Sequence, residues 1–328
     1  MSADVKPAAD ASRFRFLPHM DSASGHLIWA ITVALFFLFV AIAPGFLNFL
    51  NINSILSEIA LFGFLAVALT PVIVSGNIDI SVGSVLGMAA CLSIVLMPYG
   101  IGVAISAALG AGLLAGFMNG VLVEKVGIDS FIVTLATMIG IRGVTFYYIG
   151  DRSVMTLDPV FLAIGNSNVG FVPVRTIVLA IIAVLVAWVM HSTSHGRYTF
   201  AIGGNRAAAV DAGVRVSRHV IANMMICGLL AAVGGVAMAA QLGSVTPAFG
   251  AQYELWGITA VVLGGTRLRG GTGSILGSLG AVATLAILHN GMVLLQVQSF
   301  YVPIVIGFAL ILALVLDRQP TGIVKGGE

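Results

Sequence analysis

Long apolar runs joined by short polar segments make up almost the whole chain, and that pattern leaves few folds open. Eight runs, 27 to 46, 54 to 75, 102 to 123, 131 to 149, 174 to 192, 219 to 241, 273 to 291 and 300 to 316, approach the roughly 20 residues a helix needs to cross bilayer hydrocarbon. Two weaker runs, 83 to 97 and 253 to 265, would reach only about 20 Å at ~1.5 Å per residue. With 59% of residues hydrophobic, 9% charged and a mean hydropathy of +1.08, a water-soluble domain could not cover its apolar surface. The expected fold class is therefore all-α, a polytopic transmembrane helical bundle of about ten helices.

Two stretches repeat one another. Val72 to Gly87 reads VIVSGNIDISVGSVLG, and Val261 to Gly277 reads VVLGGTRLRGGTGSILG. Each is an apolar strip ending in small residues, then a polar bend, then a Gly-Ser-apolar-Leu-Gly helix opening, and one inserted residue in the second bend aligns them. The first bend carries Asp79, whereas the second carries Arg267 and Arg269. Because the two weak runs flank these bends, broken or re-entrant helices packed inside the protein are expected there.

Charge sets the orientation. If ten segments cross and the amino terminus is cytoplasmic, Lys6, Arg13, Arg15, Lys125, Arg197, Arg206, Arg215, Arg218, Arg267, Arg269, Arg318 and Lys325 lie inside, leaving Arg142, Arg152 and Arg175 outside. Both bends then fall on one side, so the repeat is parallel. Residues 1–26 become a cytoplasmic tail, 27–317 the transmembrane domain with a cytoplasmic loop at 193–218, and 318–328 a second cytoplasmic tail. Ala41-Ile42-Ala43 resembles a signal-peptide cleavage site, but Pro44 directly after it would block cleavage.

Glycine is abundant, at 40 residues, and small residues let membrane helices approach closely. The rows Gly112-Gly116-Gly120 and Gly273-Gly277-Ala281 are read as helix-packing faces. Cys91 and Cys227 lie in apolar spans without pairing or metal-ligand spacing. No G-x-x-x-x-G-K-[ST] phosphate loop, H-E-x-x-H pair or G-x-S-x-G elbow occurs, so neither a catalytic nor a metal site is expected in this chain. His289, near a helix end, reads as interfacial. The scattered basic residues form no nucleic-acid patch.

Between His191 and Arg218, Gly203-Gly204-Asn205 is a turn signal, Asn205 a helix N-cap, Arg206 to Ala212 a short helix and Gly213 its stop. An alanine-rich helix has little amphipathic drive to lie on a membrane face alone, which points to a protein partner.

GRYTFAIGGNRAAAVDAGV in this loop, with SGNIDISVGS, SFIVTLATMIGIRGV and YELWGITAVVLGGTRLRGGTGSILG, resembles the membrane permease of ribose-type monosaccharide importers of the ATP-binding-cassette superfamily, from about Phe46 to Asp317. The resemblance implies a permease subunit that pairs with a second copy or close relative, two cytoplasmic ATPase domains that bind ATP and Mg, and a periplasmic sugar-binding protein, in the inner membrane of a bacterium. It implies that Gly203, Gly204, Asn205, Ala208 and Gly213 belong to the segment contacting the ATPase. Asp79, Ser81 and Gly83 match the family's first bend, while Asn77 replaces a second glycine and Ile80 a leucine. Tyr253, Glu254 and Leu255 match, but Trp256-Gly257 stands where Asp-Ala is frequent.

The expected substrate path is lined by Asn77, Asp79, Ser81, Glu254 and Trp256. For Asp79 two roles compete. A carboxylate there either caps the short helix starting near Ser81 or accepts sugar hydroxyls along the path. Two other functions stay in view. An ion-coupled secondary carrier should show several intramembrane carboxylates, yet outside the loops the chain offers Asp79, Glu58 and Glu254. A membrane-embedded enzyme should show a convergent nucleophile, base and donor set, and none is found.

Overall fold

The computed structural model describes residues 22–298 and 300–305, with 307, 308 and 311. In order the helices are α1 (Ser22–Ile42), α2 (Phe49–Val74), α3 (Val82–Val95), α4 (Ile101–Val121), α5 (Ser130–Ile149), α6 (Pro159–Asn166), α7 (Val174–Ser192), α8 (Ser194–Gly204), α9 (Arg206–Asp211), α10 (Val216–Leu242), α11 (Tyr253–Leu263) and α12 (Ile275–Leu294). Six of them, α2, α4 with the π-turn after it, α5, α7, α10 and α12, are long and apolar enough to cross a membrane. The fold is the expected polytopic helical bundle. Of the expected 300–316 run, residues 301–305 are helical, and the rest lies largely outside the described residues, as does most of the 1–26 tail and all of the 318–328 tail. The first helix begins at Ser22, ahead of its apolar run.

α2 is apolar on all sides and forms the centre. Every residue from Ala60 to Val74 is buried, which a helix with no polar stripe achieves only when neighbours surround it. α10, α11 and α12 pack around it, and α4 and α3 pack against α10. By contrast α5 and α7 carry much of their apolar surface outward, as lipid-facing helices do.

The row Gly112-Gly116-Gly120 brings the backbones of α4 and α10 into contact. A Cβ would stand 2.4 Å from Gly228 O at Gly112, 2.1 Å from Met224 O at Gly116 and 2.8 Å from Ile221 Cα at Gly120. Gly228 returns the contact, its Cβ position lying 2.2 Å from Gly112 O. The second row is not wholly helical. Gly273 precedes the N-cap Ser274 and packs on Val74 and Thr266, while Gly277 packs on Gly264 O.

Away from the bends, the 150–173 connection builds a small cap. β1 (Val154–Met155) pairs antiparallel with β4 (Ser244–Val245), and β2 (Asn168–Val169) pairs with β3 (Val172–Pro173). Between them α6 starts on Asp158, whose carboxylate accepts from Phe161 N at 2.8 Å, with Pro159 as its first residue. Arg142, counted as an outside charge within the expected 131–149 span, lies in α5, where its guanidinium donates to Pro247 O and Phe249 O at 2.9 and 2.7 Å.

Candidate functional site

The repeated stretches fold as the same helix stop. α2 ends with Gly76 at φ 79°, Gly76 N donating to Ile73 O and Asn77 N to Val72 O. α11 ends with Gly265 at φ 89°, Gly265 N donating to Val262 O and Thr266 N to Val261 O. In both, a left-handed glycine lets two amides satisfy the last carbonyls, the reason Ser-Gly-Asn and Gly-Gly-Thr occupy equivalent places. The bends then diverge, because α3 starts soon after the first while α12 waits until Ile275.

Asp79 sits at the end of the first bend and is 1% exposed. Its Oδ1 accepts from Ser81 N at 2.9 Å and Ser81 Oγ at 2.6 Å, an Asx turn placed at the N-terminus of α3. Asn119 of α4 donates to Ser81 Oγ at 3.0 Å, and Thr137 of α5 donates to Asn119 Oδ1 at 2.7 Å. Two more α5 hydroxyls take the bend's amides, Ser130 from Ile78 N at 3.1 Å and Thr134 from Ile80 N at 3.2 Å. The second carboxylate oxygen is buried without a hydrogen bond, and the Cys227 thiol of α10 is close to the carboxyl group.

Glu254 approaches the same helix end from α11. It is 9% exposed, and its Oε2 occupies the space left by Gly83, where a Cβ would stand 2.1 Å away. Gly87, one turn on, admits Phe249 O at 2.2 Å from its Cβ position, so the Gly-Ser-Val-Leu-Gly spacing is a seat for the loop that Arg142 clamps. Two carboxylates thus meet the positive end of one helix. Asn77 instead folds back onto Ser75, and Trp256 lies on another face of α11, stacked on Phe62 at 4.4 Å and 9°. Of the expected path residues the structure gathers Asp79, Ser81 and Glu254 and leaves Asn77 and Trp256 apart.

The residues of the 193–218 loop have defined places. Gly203 and Gly204 close α8, and Asn205 Oδ1 accepts from Ala208 N at 3.0 Å to start α9. Gly213, at φ 79°, ends α9 with Gly213 N donating to Val210 O and Val214 N to Ala209 O. Hydrogen bonding to Glu124 at 2.8 and 2.9 Å holds α9 to the turn after α4 and pushes the Arg206 guanidinium above its ordinary pKa. Gly203 meets both repeated bends, its Cβ position lying 1.8 Å from Val74 O and 2.5 Å from Gly271 N. His195 of α8 bonds Asn223 Oδ1 at 2.8 Å, and Asn223 donates to Pro71 O at 3.4 Å, joining α8 to α10 and α2.

Sequence reasoning missed Ser130, Thr134 and Thr137, although their spacing in SFIVTLAT places three hydroxyls on one helix face. It also missed the Glu58–His289 pair, for which no local signal exists. Among the described residues no group of His, Cys, Asp or Glu could hold a metal.

Residues 51–314 match the family described as branched-chain amino acid transport system / permease component. The chain is 38% identical over 281 residues to the ribose import permease protein of Bacillus subtilis (strain 168), covering 84% of this chain and 87% of that protein. It is 30% identical to the galactose/methyl galactoside import permease protein of Haemophilus influenzae, covering 90% and 95%. It is also 30% identical to the D-allose transport system permease protein of Escherichia coli (strain K12), covering 95% and 96%. No solved structure matches.

Proposed function

This chain belongs to the family of transport-system permease components, a multi-pass membrane transport subunit and not an enzyme, and on that premise we propose that it forms the path for a monosaccharide or sugar-like molecule in an ATP-binding-cassette importer. The sugar is delivered by a periplasmic binding protein. Two ATPase domains that bind ATP and Mg drive the cycle, and a second permease copy or close relative completes the path. The protein sits in the bacterial inner membrane with both tails, 1–26 and 318–328, in the cytoplasm and the transmembrane domain at 27–317.

One observation carries the coupling role. The end of α8 lies where the two repeated bends meet, with Gly203 against Val74 O and Gly271 N, so a force on that segment reaches both bends through backbone contacts. Gly203, Gly204, Asn205, Ala208 and Gly213 shape the ATPase-facing segment. Asp79, Ser81 and Glu254 at the start of α3, with Asn77 and Trp256, line or support the path.

Uptake of radiolabelled pentoses and hexoses by proteoliposomes holding the permease, its ATPase and its binding protein tests this reading. Uptake should need ATP and the binding protein. Uptake that follows an ion gradient without ATP would sink it in favour of a secondary carrier. Reporter fusions within Ser194 to Arg218 should read as cytoplasmic, and a periplasmic signal there would break the topology.

A further inference from the structure

His289 of α12 pairs with Glu58 of α2 across 231 positions of sequence, His289 Nδ1 meeting Glu58 Oε1. Trp256 of α11 stands edge-on to His289 at 5.7 Å and 75° and is stacked flat on Phe62 of α2. Tyr253, one turn earlier on α11, meets Phe62 edge-on at 5.2 Å and lies within electrostatic reach of Glu58. Gly257 makes this assembly fit. A Cβ there would lie 2.8 Å from Leu69 Cδ1, so glycine allows α11 close enough to α2 for the indole to lie on the Phe62 ring.

The cluster is polar and partly exposed. The Asn51–Asn290 amide pair marks the end shared by α2 and α12, remote from the bends. At ~1.5 Å per residue, Glu58 lies about 10 Å farther along α2 than Asn51, while His289 is the neighbour of Asn290 on α12, so the pair reaches inward from that shared end along an apolar helix. The side chains of His289 and Glu58 keep 33% and 16% of their surface exposed. A carboxylate and an imidazole at that depth belong against water or a polar ligand and not against acyl chains. Glu58 Oε2, His289 Nε2 and the Tyr253 hydroxyl make no hydrogen bond among the described residues, and none of the three is a buried orphan. An aromatic plate beside a few convergent polar atoms is the composition of a small-ligand site. The C–H face of a sugar ring suits the indole, while ring hydroxyls donate to the carboxylate and accept from the imidazole and phenol.

We propose that Trp256, Tyr253, Glu58 and His289 form a sugar-ring subsite in the outer half of the membrane, which sets the selectivity of the path. This rests on the monosaccharide reading above. The subsite takes one neutral ring sugar from the binding protein before the sugar reaches the bends.

The test uses the full complex in proteoliposomes and two epimeric pairs, D-ribose with D-xylose and D-glucose with D-galactose. For the pair that the wild type transports, kcat/KM is measured for each sugar in Glu58→Gln, His289→Gln, Tyr253→Phe and Trp256→Phe. Loss of one hydroxyl contact should shift the ratio between epimers about tenfold in at least one polar variant. Trp256→Phe should raise KM for both epimers alike, since a smaller plate still stacks. Equal loss for both epimers in every polar variant would overturn the subsite, because a packing role cannot tell epimers apart. A fall in the fraction of paired permeases that tracks the loss of uptake would overturn it too, assigning the face to a second copy. Wild-type complex that moves no monosaccharide, yet shows ATP-dependent uptake of a solute that is not a sugar, would overturn the monosaccharide reading and the subsite with it.

Discussion

Alanine at Gly203 and alanine at Gly204 should behave in opposite ways, although the two glycines are neighbours at the end of α8. A Cβ at Gly203 would lie 1.8 Å from Val74 O and 2.5 Å from Gly271 N, atoms that are themselves joined by a 2.9 Å hydrogen bond. Both are backbone, so no side chain can swing aside. Either that hydrogen bond breaks or α8 lifts from the bends. Losing a buried backbone hydrogen bond costs about 0.5–1.5 kcal/mol and overpacking about 1–3 kcal/mol, so Gly203→Ala should disfavour the docked arrangement by about 1.5–4.5 kcal/mol. At Gly204 nothing lies within 4 Å of the Cβ position, and alanine gains up to about 1 kcal/mol of helix propensity. Hydrogen exchange at the Gly271 amide and ATP hydrolysis stimulated by loaded binding protein read the two consequences. Gly203→Ala should speed exchange by more than tenfold and lower stimulation, while Gly204→Ala matches the wild type. Unchanged protection and stimulation in Gly203→Ala, or equal losses in both variants, would refute the reasoning.

Three further pairs of outcomes follow from the same geometry. Gly116→Ala should lower thermal stability in detergent by about 1–3 kcal/mol because its Cβ would meet Met224 O at 2.1 Å, whereas Gly110→Ala, with open space around it, should not. Gly213→Val forces a branched side chain to φ 79°, at about 1–2 kcal/mol, and should lower stimulated ATPase activity while the permease still inserts; unchanged stimulation would make the segment a mere connector. Asp79→Asn keeps the acceptor for Ser81 and should preserve yield, while Asp79→Ala should reduce it by the loss of the Asx turn, at about 0.5–1.5 kcal/mol for each of its hydrogen bonds. Uptake lost in Asp79→Asn at normal yield and ATPase stimulation would place Asp79 on the route itself.

The long helices were legible because hydrophobic length is a property of composition, and the bends because a repeated Gly stop carries its own local chemistry. α9 was legible for the same reason, from Asn205 at one end and Gly213 at the other. α8 was not. Gly196, Gly203 and Gly204 look like breakers in sequence, yet Gly196 is glycine because Met190 O would stand 2.0 Å from its Cβ, and Gly203 because it meets the bends. Arg142 stands out by type as a charge inside an apolar run, but its partners, a pair of carbonyls more than 100 positions away, carry no local signal. The path residues were chosen along two local stretches, and locality explains the outcome. Asp79, Ser81 and Glu254 converge because both stretches border α3, while Trp256 turns toward Phe62 and His289, partners that no spacing on α11 reveals.

The duplicated element serves two purposes through what surrounds it. Around the first bend side chains do the holding, with Ser130, Thr134 and Asn119 tying its amides and Ser81 to α5 and α4. The second bend has glycine at 270 and 271 and is held backbone to backbone, a Cβ at Gly270 standing 2.7 Å from Gly76 N and one at Gly271 standing 2.8 Å from Gly204 Cα. Side-chain hydrogen bonds tolerate small rotations, whereas backbones in direct contact transmit displacement without slack. The end of α8 touches both bends at once, Gly203 lying against Val74 O at the first and Gly271 N at the second, and it is joined to α3, with the Asp79 turn at its start, through the first. Those two contacts make Gly203 the residue of α8 at which both bends are held backbone to backbone, which is why a side chain there is costly.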